Sequence, residues 1–405
     1  MSLLPASATR DARLLLATRG IRAFVDGTVY VILPAFLLQL GFSGVRIGFI
    51  IASSLLGSSA LTLATGYWAH RFTPSRLLFA STLVMISTGI CFGLSSPFLL
   101  LVIIAAIGTM NPSAGDVSPF LPLEQSLLSA SITNSDRTAM FATYNLVGSL
   151  VGAVGALCAG IPLWIAERTG QSTQFGHRTT FIMYGISGFA LLILYSRLST
   201  ASRHVVTKTD RALSPSSRHI VLKLAALFSL DSLGGGFATQ AIFALWVYQR
   251  FDLSSSTLGV IFFATGVLSA ISSLLAVRIS QRIGLVRTMV FTHIPASVLL
   301  IGVAFMPTVW WAMALFILRG LLSQMDVPVR TSYVMAVVEP SERAAAASIT
   351  NVPRSLASAL PPIAAGWMLD KSHFAWPFLI CATFKIIYDL LLLWQFRNIR
   401  PPEEQ

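Results

Sequence analysis

The sequence predicts an all-α polytopic membrane protein with twelve transmembrane helices, arranged as two pseudo-symmetric six-helix bundles. Three observations lead to this fold class. First, 55% of the 405 residues are hydrophobic and 11% are charged, whereas soluble domains carry about 25% charged residues. Second, apolar runs of about 20 residues, the length that crosses a bilayer, recur along the whole chain. Third, the two halves of the chain repeat one plan.

Twelve apolar runs are long enough to be membrane-spanning helices. They cover residues 20–41, 46–69, 76–96, 98–130, 138–166, 179–198, 219–250, 256–280, 287–306, 308–338, 344–369 and 373–396. The longest polar stretch, 199–218, carries several basic residues and is predicted to be an exposed cytoplasmic linker. It separates an N-terminal bundle, 1–198, from a C-terminal bundle, 219–405.

The repeat becomes visible when the chain is shifted by 206 residues without a gap. The matched pairs include Pro122 with Pro328, Ser149 with Ser355, Asn145 with Asn351 and Gly160 with Gly366. At one equivalent position the two copies carry opposite charges, Glu124 and Arg330. The shared residues indicate a common scaffold, and the charge difference indicates a position with a role in mechanism.

The basic residues are distributed as they are in oriented membrane proteins. The formal net charge is +12, but the Lys and Arg residues outside the apolar runs gather in alternate loops, which argues against a nucleic-acid partner. We predict a multi-pass protein of the plasma (inner) membrane with both termini in the cytoplasm. The opposite side receives only Arg46, Arg168, Arg178, Arg250 and Lys371.

Enzymatic chemistry has little support in the sequence. The chain has no His/Cys metal-ligand spacing, no nucleophile elbow and no nucleotide-binding loop. Cys91, Cys158 and Cys381 are scattered through apolar segments, where buried thiols are expected. We therefore expect no enzyme activity, no cofactor and no metal, and a monomer that acts on a small-molecule substrate within the bilayer.

Two basic loops follow the second and the eighth predicted spans. The first, GYWAHRFTPSR, begins at Gly66 and contains Arg71 and Arg76. The second, VRISQRIGLVR, contains Arg282 and Arg287 at the corresponding places. A shift of the chain by 211 residues superimposes both pairs of arginines.

These loops resemble the G-x-x-x-D-R-x-G-R-R motif that transporters of the major facilitator superfamily carry after the second helix, with a weaker copy after the eighth. His70 stands where the motif has Asp, and Thr73 where it has Gly. The chain resembles this superfamily over essentially its whole length, and the stretches GDVSPFLPLEQ and DSLGGGF resemble a bacterial and archaeal subgroup. The resemblance implies gating roles for Gly66, Arg71, Arg76, Arg282 and Arg287.

The resemblance also implies that the first, fourth, seventh and tenth helices line a central cavity, and most embedded charges fall on these helices. Ionisable residues inside a membrane cost roughly 2.5–3.5 kcal/mol each, so they usually face a cavity or a partner. The candidates for substrate binding or proton coupling are Asp26, Asp116, Glu124, Asp231, Arg319, Asp326 and Arg330.

In the first span, Arg22 and Asp26 are one helical turn apart and are placed to pair on one face. Two alternatives stay open for this pair. Arg22 either faces the cavity or lies at the cytoplasmic interface with its side chain extended towards water. Asp26 either has a functional role or is only the structural partner of Arg22.

The fourth span is too long for one straight helix, and the sequence NPSAGD at 111–116 interrupts it. Broken helices at membrane depth often mark binding sites, because their freed backbone groups need a protein or water partner. Asp116 is either a cavity residue or a residue of an extracellular loop. Glu124 is placed within the membrane more clearly than Asp116.

The seventh span has Asp231 shortly before a run of three glycines, 234–236, for which close helix packing and a hinge are the two interpretations. Packing is the commoner explanation for small residues in membrane helices.

The tenth span carries Arg319, Asp326 and Arg330 on one broad face. Asp326 and Arg330 are spaced to pair, and Pro328 between them is expected to loosen the backbone. We also expect Arg330 to form a charge-assisted bond with Glu124 that opens when a substrate or a proton takes over one partner.

Two further groups lie in the other spans. Lys385 and Asp389 of the last span are expected to pair with each other, and Arg354 is expected to cap a helix or to bridge to the tenth span. The glycines of the fifth span loosely resemble a motif of exporting superfamily members, but such spacing is also typical of ordinary helix packing.

These features together predict secondary active transport of a small molecule, with the proton gradient as the energy source. Asp26, Asp231 and Asp326 are the proposed proton carriers; Arg319 and Arg330 are the proposed substrate or switch contacts. Proton-coupled efflux of a lipophilic compound is the leading version. Transport of a small anionic metabolite is the alternative, and a non-transporting membrane sensor or scaffold is an alternative of another class.

Overall fold

Helices are the regular elements of this protein. The computed structural model describes residues 8–68, 71–113, 118–132, 137–199, 214–339 and 342–396, and these ranges contain no β-strand. The helices are α1 Arg10–Gln39, α2 Gly44–Trp68, α3 Pro74–Leu94, α4 Phe98–Ile107, α5 Phe120–Ala130, α6 Arg137–Leu157, α7 Ile161–Arg168, α8 Thr173–Ser196, α9 Pro215–Gly236, α10 Gln240–Phe251, α11 Ser255–Ile283, α12 Leu285–Phe305, α13 Val309–Gly320, α14 Asp326–Ala336, α15 Arg343–Ala359, α16 Pro361–Lys371 and α17 Trp376–Phe396.

The described part of the chain contains nine helical stretches that are long and apolar enough to cross a membrane. The predicted fourth, tenth and eleventh spans are instead divided into pairs of shorter helices, namely α4 with α5, α13 with α14, and α15 with α16. The all-helical membrane fold is confirmed, and the count of twelve spans stays a prediction.

The break in the fourth span separates α4 from α5. α4 ends at Ile107, and the next residues leave the helix, so their carbonyl groups lose their intrahelical donors. One of these groups, the carbonyl of Met110, accepts a hydrogen bond of 2.5 Å from the hydroxyl of Ser54 on α2. A neighbouring helix thus satisfies the freed backbone, as a membrane protein requires. Asp116 lies outside the described residues.

The break in the tenth span does not lie at Pro328, so that expectation is wrong. α13 ends at Gly320 and α14 begins at Asp326, which places Pro328 in the first turn of α14. The N–H groups of a first turn have no intrahelical acceptor, so proline removes no hydrogen bond there. The proline helps to start a helix instead of loosening one.

The three glycines of the seventh span lie where the helix packs closely against its neighbours and where it ends. α9 ends at Gly236, and the hydroxyl of Thr239 accepts a hydrogen bond from the N–H of Ile242 at the start of α10. Gly234 lies against the backbone carbonyl of Cys381, where a Cβ atom would be within 3.1 Å. Packing and a break therefore occur at the same point.

The chain divides into two units. The first consists of Met1–Lys208 with Leu253–Phe263, and the second of Thr209–Asp252 with Ala264–Gln405. In the first unit α1 packs on α6 and α3 packs on α8; in the second α9 packs on α15 and α12 packs on α17. The division of the chain by a linker at 199–218 stays a prediction.

Corresponding helix pairs of the two units make the same close contact. Gly27 of α1 lies against the carbonyl of Gly152 on α6, and Gly236 of α9 lies against the carbonyl of Ser358 on α15. The repeat pairs Gly152 with Ser358. At both places only a glycine lets the backbones approach this closely, so the packing itself follows the internal repeat.

On each side of residues 200–213, the adjoining serine donates a hydrogen bond to a carboxylate. Asp11 of α1 accepts a 2.5 Å hydrogen bond from the hydroxyl of Ser199. In the second unit Glu342, just before α15, accepts a 2.6 Å hydrogen bond from the N–H of Ser214. Ser214 is the N-cap residue of α9, so Glu342 ties the start of α9 to the start of α15.

Candidate functional site

The carboxylate of Glu124 on α5 is the centre of the polar core of the first unit. Its side chain is 0% exposed. Oε1 accepts hydrogen bonds from Thr18 (2.7 Å) and Tyr195 (2.5 Å), and Oε2 accepts them from Arg22 (2.5 Å) and Tyr144 (2.5 Å). A carboxylate has about four acceptor positions, and here all of them are used. We call these five residues the Glu124 cluster.

Arg22 is the charge partner of Glu124. Its side chain is 2% exposed, one Nη atom lies 3.3 Å from the hydroxyl oxygen of Ser118, and the guanidinium lies 4.6 Å from the ring centre of Phe120. The alternative in which Arg22 extends towards the cytoplasmic interface is therefore wrong, because its charge is enclosed among α1, α5 and α6.

Asp26 lies beside the Glu124 cluster in a small polar cleft. Arg22, Thr109, Ser118 and Tyr184 line this cleft together with Asp26. The hydroxyl oxygens of Thr109 and Tyr184 are 3.2 Å apart. Asp26 thus borders a space that hydroxyl groups line, and it remains a candidate for contact with a polar ligand.

The second unit has its own buried carboxylate at the centre of a charged group, Asp231 of α9. Oδ2 accepts a hydrogen bond of 3.1 Å from Arg330 of α14, and Oδ1 accepts one of 2.7 Å from Lys385 of α17. Nε2 of His293 on α12 lies 3.8 Å from Oδ1. One carboxylate therefore connects four helices. We call the group the Asp231 cluster; it consists of Asp231, His293, Asp326, Arg330, Lys385 and Asp389.

The predicted pair between Asp326 and Arg330 is confirmed, with a distance of 3.2 Å between carboxylate oxygen and guanidinium nitrogen. Arg330 thus has two carboxylate partners inside its own unit. Because Glu124 is likewise paired inside the first unit, the predicted bond between Glu124 and Arg330 stays a prediction that would require both residues to exchange partners.

The expected direct pair between Lys385 and Asp389 is replaced by a link through His293. Nδ1 of His293 lies 3.1 Å from both oxygens of Asp389, and Nε2 lies 3.3 Å from Nζ of Lys385. The expectation rested on the distance along one helix. The structure differs because α12 places an imidazole between the two charges, and Lys385 reaches the carboxylate of Asp231 on α9.

Two further arginines lie close to this cluster and have no carboxylate partner among the described residues. Nε of Arg319 on α13 is buried and has no hydrogen-bond acceptor among the described residues. The carboxylates of Asp231 and Asp326 nevertheless attract its positive charge. Arg354 of α15 donates to the hydroxyl of Ser232 on α9 at 3.0 Å, so it bridges to the seventh span and not, as expected, to the tenth.

The central ion pairs of the two units have opposite polarity. The offset that superimposes Gly27 on Gly236 also places Arg22 on Asp231. In the first unit the cation, Arg22, comes from α1 and the anion, Glu124, from α5. In the second unit the anion, Asp231, comes from α9 and the cation, Arg330, from α14. The sequence showed only one half of this exchange, at Glu124 and Arg330.

The candidate gating loops place their arginines at the surface. Arg71, Arg76, Arg282 and Arg287 are exposed, and a Cβ added at Gly66 would meet no atom within 4 Å. Their gating roles stay predictions, and His70 lies outside the described residues.

The two candidate gating loops have Thr73 and Gly284 at equivalent positions, and the backbone conformation explains this difference. Gly284, before α12, has a positive φ of 88°, which glycine adopts without strain. Thr73, which stands where the motif has glycine, has a φ of −66°. The first loop therefore has no need of glycine at that position.

This all-helical architecture, with charge clusters buried among its helices, is that of a multi-pass membrane transporter. The family model of the Major Facilitator Superfamily matches residues 15–245 and 224–405. The chain therefore belongs to the Major Facilitator Superfamily, and it transports a small molecule across a membrane.

Known proteins with the same fold cover nearly the whole chain. An uncharacterized membrane protein of Saccharomyces cerevisiae is 24% identical, covering 97% of this chain and 95% of the yeast protein. The structure of a bacterial homolog of the human lysosomal transporter Spinster superimposes with a TM-score of 0.76 at 14% identity, covering 96% of each chain. A D-xylose-proton symporter gives 0.73 at 15% identity, covering 97% of this chain and 98% of the other.

Reasoning from the sequence missed His293, Tyr144 and Tyr195 as members of the two clusters. A signal for His293 was present, because a histidine inside a predicted span is an embedded ionisable residue like the others. The tyrosines had no such signal, since tyrosine is common in membrane helices and only its contact with Glu124 shows its part.

Proposed function

We propose that this chain carries out proton-coupled secondary transport of a small anion by alternating access, with the Asp231 cluster as the place where anion and proton act. The observation that carries the proposal is an excess of positive charge around Asp231. Three carboxylates, Asp231, Asp326 and Asp389, lie with four cations, Arg319, Arg330, Arg354 and Lys385. A bound anion would neutralise the excess positive charge.

The chemistry of the unpaired cations favours a carboxylate or a phosphate. A guanidinium presents planar donors that match the oxygens of these groups. Arg319 has a buried Nε with no acceptor in the described chain, and leaving such a group unsatisfied is costly. A bound anion would supply an acceptor to this nitrogen.

One sequence feature that favoured efflux of a lipophilic compound, the glycines of the fifth span, gives that version little support. These glycines face α1, since Gly148 lies against Arg19, Gly152 against Ala23 and Gly155 against the backbone of Phe24. Close helix packing accounts for them without an export motif.

Proton coupling is proposed from the ionisable groups inside the same cluster. Carboxylates and an imidazole are buried next to the cations, so binding of a proton and binding of an anion would both change the net charge of this cluster. The similarity to a D-xylose-proton symporter shows that this fold accommodates proton coupling in that protein. Asp26 and Asp116 remain candidates for contacts in the first unit.

The test is flux into liposomes that contain the purified full chain. Labelled phosphate, acetate, succinate, xylose and ethidium are offered separately, with and without an imposed pH gradient. We expect accumulation of at least one of the anions, dependent on the gradient and abolished by a protonophore. Accumulation of ethidium alone would restore the efflux version. An absence of both flux and proton movement with the whole panel would favour a sensor.

The remaining parts of the proposal concern location. We propose the plasma (inner) membrane with both termini in the cytoplasm, a monomer without cofactor or nucleic-acid partner, and bundles 1–198 and 219–405 joined by 199–218. The asymmetry of Lys and Arg between alternate loops supports the orientation. Fusion of a reporter that is active on only one side of the membrane to each terminus tests it.

A further inference from the structure

His293 is the member of the Asp231 cluster whose side-chain type most readily changes charge near neutral pH. It is buried in α12, with 4% of its side chain exposed. Each ring nitrogen has a charged neighbour of opposite kind, since Nδ1 faces the carboxylate of Asp389 and Nε2 faces the ammonium of Lys385.

These two contacts define one protonation state of the ring. An ammonium has only donors and a carboxylate has only acceptors. Nε2 must therefore accept from Lys385 with its lone pair, and Nδ1 must carry the hydrogen that is donated to Asp389. These contacts assign the neutral Nδ1–H tautomer to the imidazole.

We propose that His293 is a proton-binding site of the transport cycle, and that a proton at its Nε2 releases Lys385 from Asp231 to bind the transported anion. This inference rests on the proposed function. The added proton occupies the lone pair that Lys385 uses at 3.3 Å. The new Nε2–H is then directed at Oδ1 of Asp231, which lies 3.8 Å away, and replaces Lys385 as the donor to that oxygen.

The charged groups around His293 support this exchange. α17 provides Lys385, Asp389 and the ring of Tyr388, whose centre is 6.1 Å away; α9 provides Asp231. α14 provides Arg330 and Asp326, which act through Asp231, and α13 provides Arg319 as its charged residue. Two carboxylates favour the imidazolium, whereas the ammonium of Lys385, which contacts the ring, and the two guanidinium groups oppose it. Release of Lys385 is therefore the step that lets the proton bind.

The consequence is a direct coupling of proton and anion. Protonation adds one positive charge to a group that, with Arg319 and Arg354 included, already has one in excess, and it frees a donor for an anion. By linkage, a bound anion must in turn raise the affinity of His293 for the proton. Because the anion-binding form carries this proton, the apparent affinity for the anion is expected to fall as pH rises, by up to about tenfold for each pH unit.

The first experiment needs no substrate. The full chain is labelled with 15N-histidine, placed in liposomes and studied by solid-state NMR between pH 5 and pH 8. The resonance that His293→Gln removes is expected to show the Nδ1–H tautomer at high pH and the doubly protonated ring at low pH. Should His293→Gln fail to fold, the same resonance is identified in Lys385→Gln, because loss of the ammonium changes the surroundings of Nε2. An Nε2–H tautomer, or no titration in this range, would overturn the inference.

The second experiment compares variants with an anion that the wild type accumulates. His293→Gln is expected to exchange this anion across the membrane but to lose accumulation driven by a pH gradient, with affinity varying less than about twofold from pH 6 to pH 8. Lys385→Gln should bind the anion weakly at every pH, while His293 still titrates. The matched control is His177→Gln, since His177 is a buried histidine of the first unit whose Nδ1 lies 2.7 Å from Oε1 of Gln39.

The outcomes separate this inference from the proposed function. No anion flux by the wild type would overturn the proposed function, and the NMR titration would still test the proton site. Wild-type flux with an unchanged pH dependence in His293→Gln or in Lys385→Gln would overturn the inference alone.

Discussion

Replacement of Glu124 by Gln tests whether the Glu124 cluster is structural. The substitution keeps the volume of the side chain and removes its charge. It removes the carboxylate that pairs with the guanidinium of Arg22, which is buried at 2% exposure. Breaking a buried ion pair by removing one partner costs about 3–5 kcal/mol, and the hydroxyls of Thr18, Tyr144 and Tyr195 also lose a charged acceptor.

We expect the free energy of unfolding of Glu124→Gln to fall by about 3–5 kcal/mol. For a unit of this size that corresponds to a melting temperature lower by on the order of 6–20 °C. The assay is thermal unfolding of the purified protein in one detergent, followed by intrinsic fluorescence. The matched control is Glu167→Gln, because Glu167 is an exposed carboxylate of the same unit, and its loss should change the melting temperature little.

A double-mutant cycle makes the reasoning sharper. The double variant Arg22→Gln with Glu124→Gln removes both members of this ion pair, so it should be more stable than the sum of the single effects predicts, by about 1–3 kcal/mol. Additive effects, or a Glu124→Gln variant as stable as the wild type, would show that Arg22 and Glu124 are not coupled. A stable variant with altered pH dependence of transport would instead make Glu124 a coupling residue.

Three further predictions concern single positions. Arg319→Gln should raise the half-saturation concentration of the transported anion on the order of tenfold to a hundredfold, since a hydrogen bond to a charged group is worth about 1.5–3 kcal/mol; an unchanged value in initial-rate assays would remove Arg319 from the site. Hydrogen bonds from the hydroxyl of Ser217 and the N–H of Ser214 hold the pKa of Glu342 below its ordinary value of 4.5. A group whose pKa is lowered in the folded state stabilises the fold above its unfolded pKa, and this stabilisation is lost as pH falls through the folded pKa. The difference in stability between wild type and Glu342→Gln should therefore disappear below about pH 4.5 in melting experiments. A difference that does not depend on pH would show that the charge of Glu342 is not what stabilises the fold. Gly155→Val should lower the melting temperature strongly because its Cβ would collide with the backbone of α1, whereas Gly66→Ala should not; equal effects would exclude packing as the role of Gly155.

Several features of the fold were predictable because they depend on local properties of the chain. Apolar runs, the basic loops and the 206-residue repeat can be read one residue at a time, and they lead to the all-helical membrane fold of the superfamily. The pair between Asp326 and Arg330 was also predictable, since their helical spacing alone brings them together.

Most of the site could not be predicted, because its contacts join residues far apart in sequence. Arg22 meets Glu124 across 102 positions, and Lys385 meets Asp231 across 154. The sequence-based choice of Asp389 for Lys385 used the nearest opposite charge along one helix. Helix packing offered Lys385 another partner, Asp231, at 2.7 Å.

The sequence by itself determined that charges are embedded in membrane helices, how the two halves correspond and on which helices the charges lie. The tertiary structure alone decided which charges neutralise each other, that His293 lies between Lys385 and Asp389, and that the central ion pairs of the two units have opposite polarity. The physical reason is that hydrophobicity is a property of each residue, whereas the stability of a buried charge depends on the few ångströms around it, which only the packing of the helices defines.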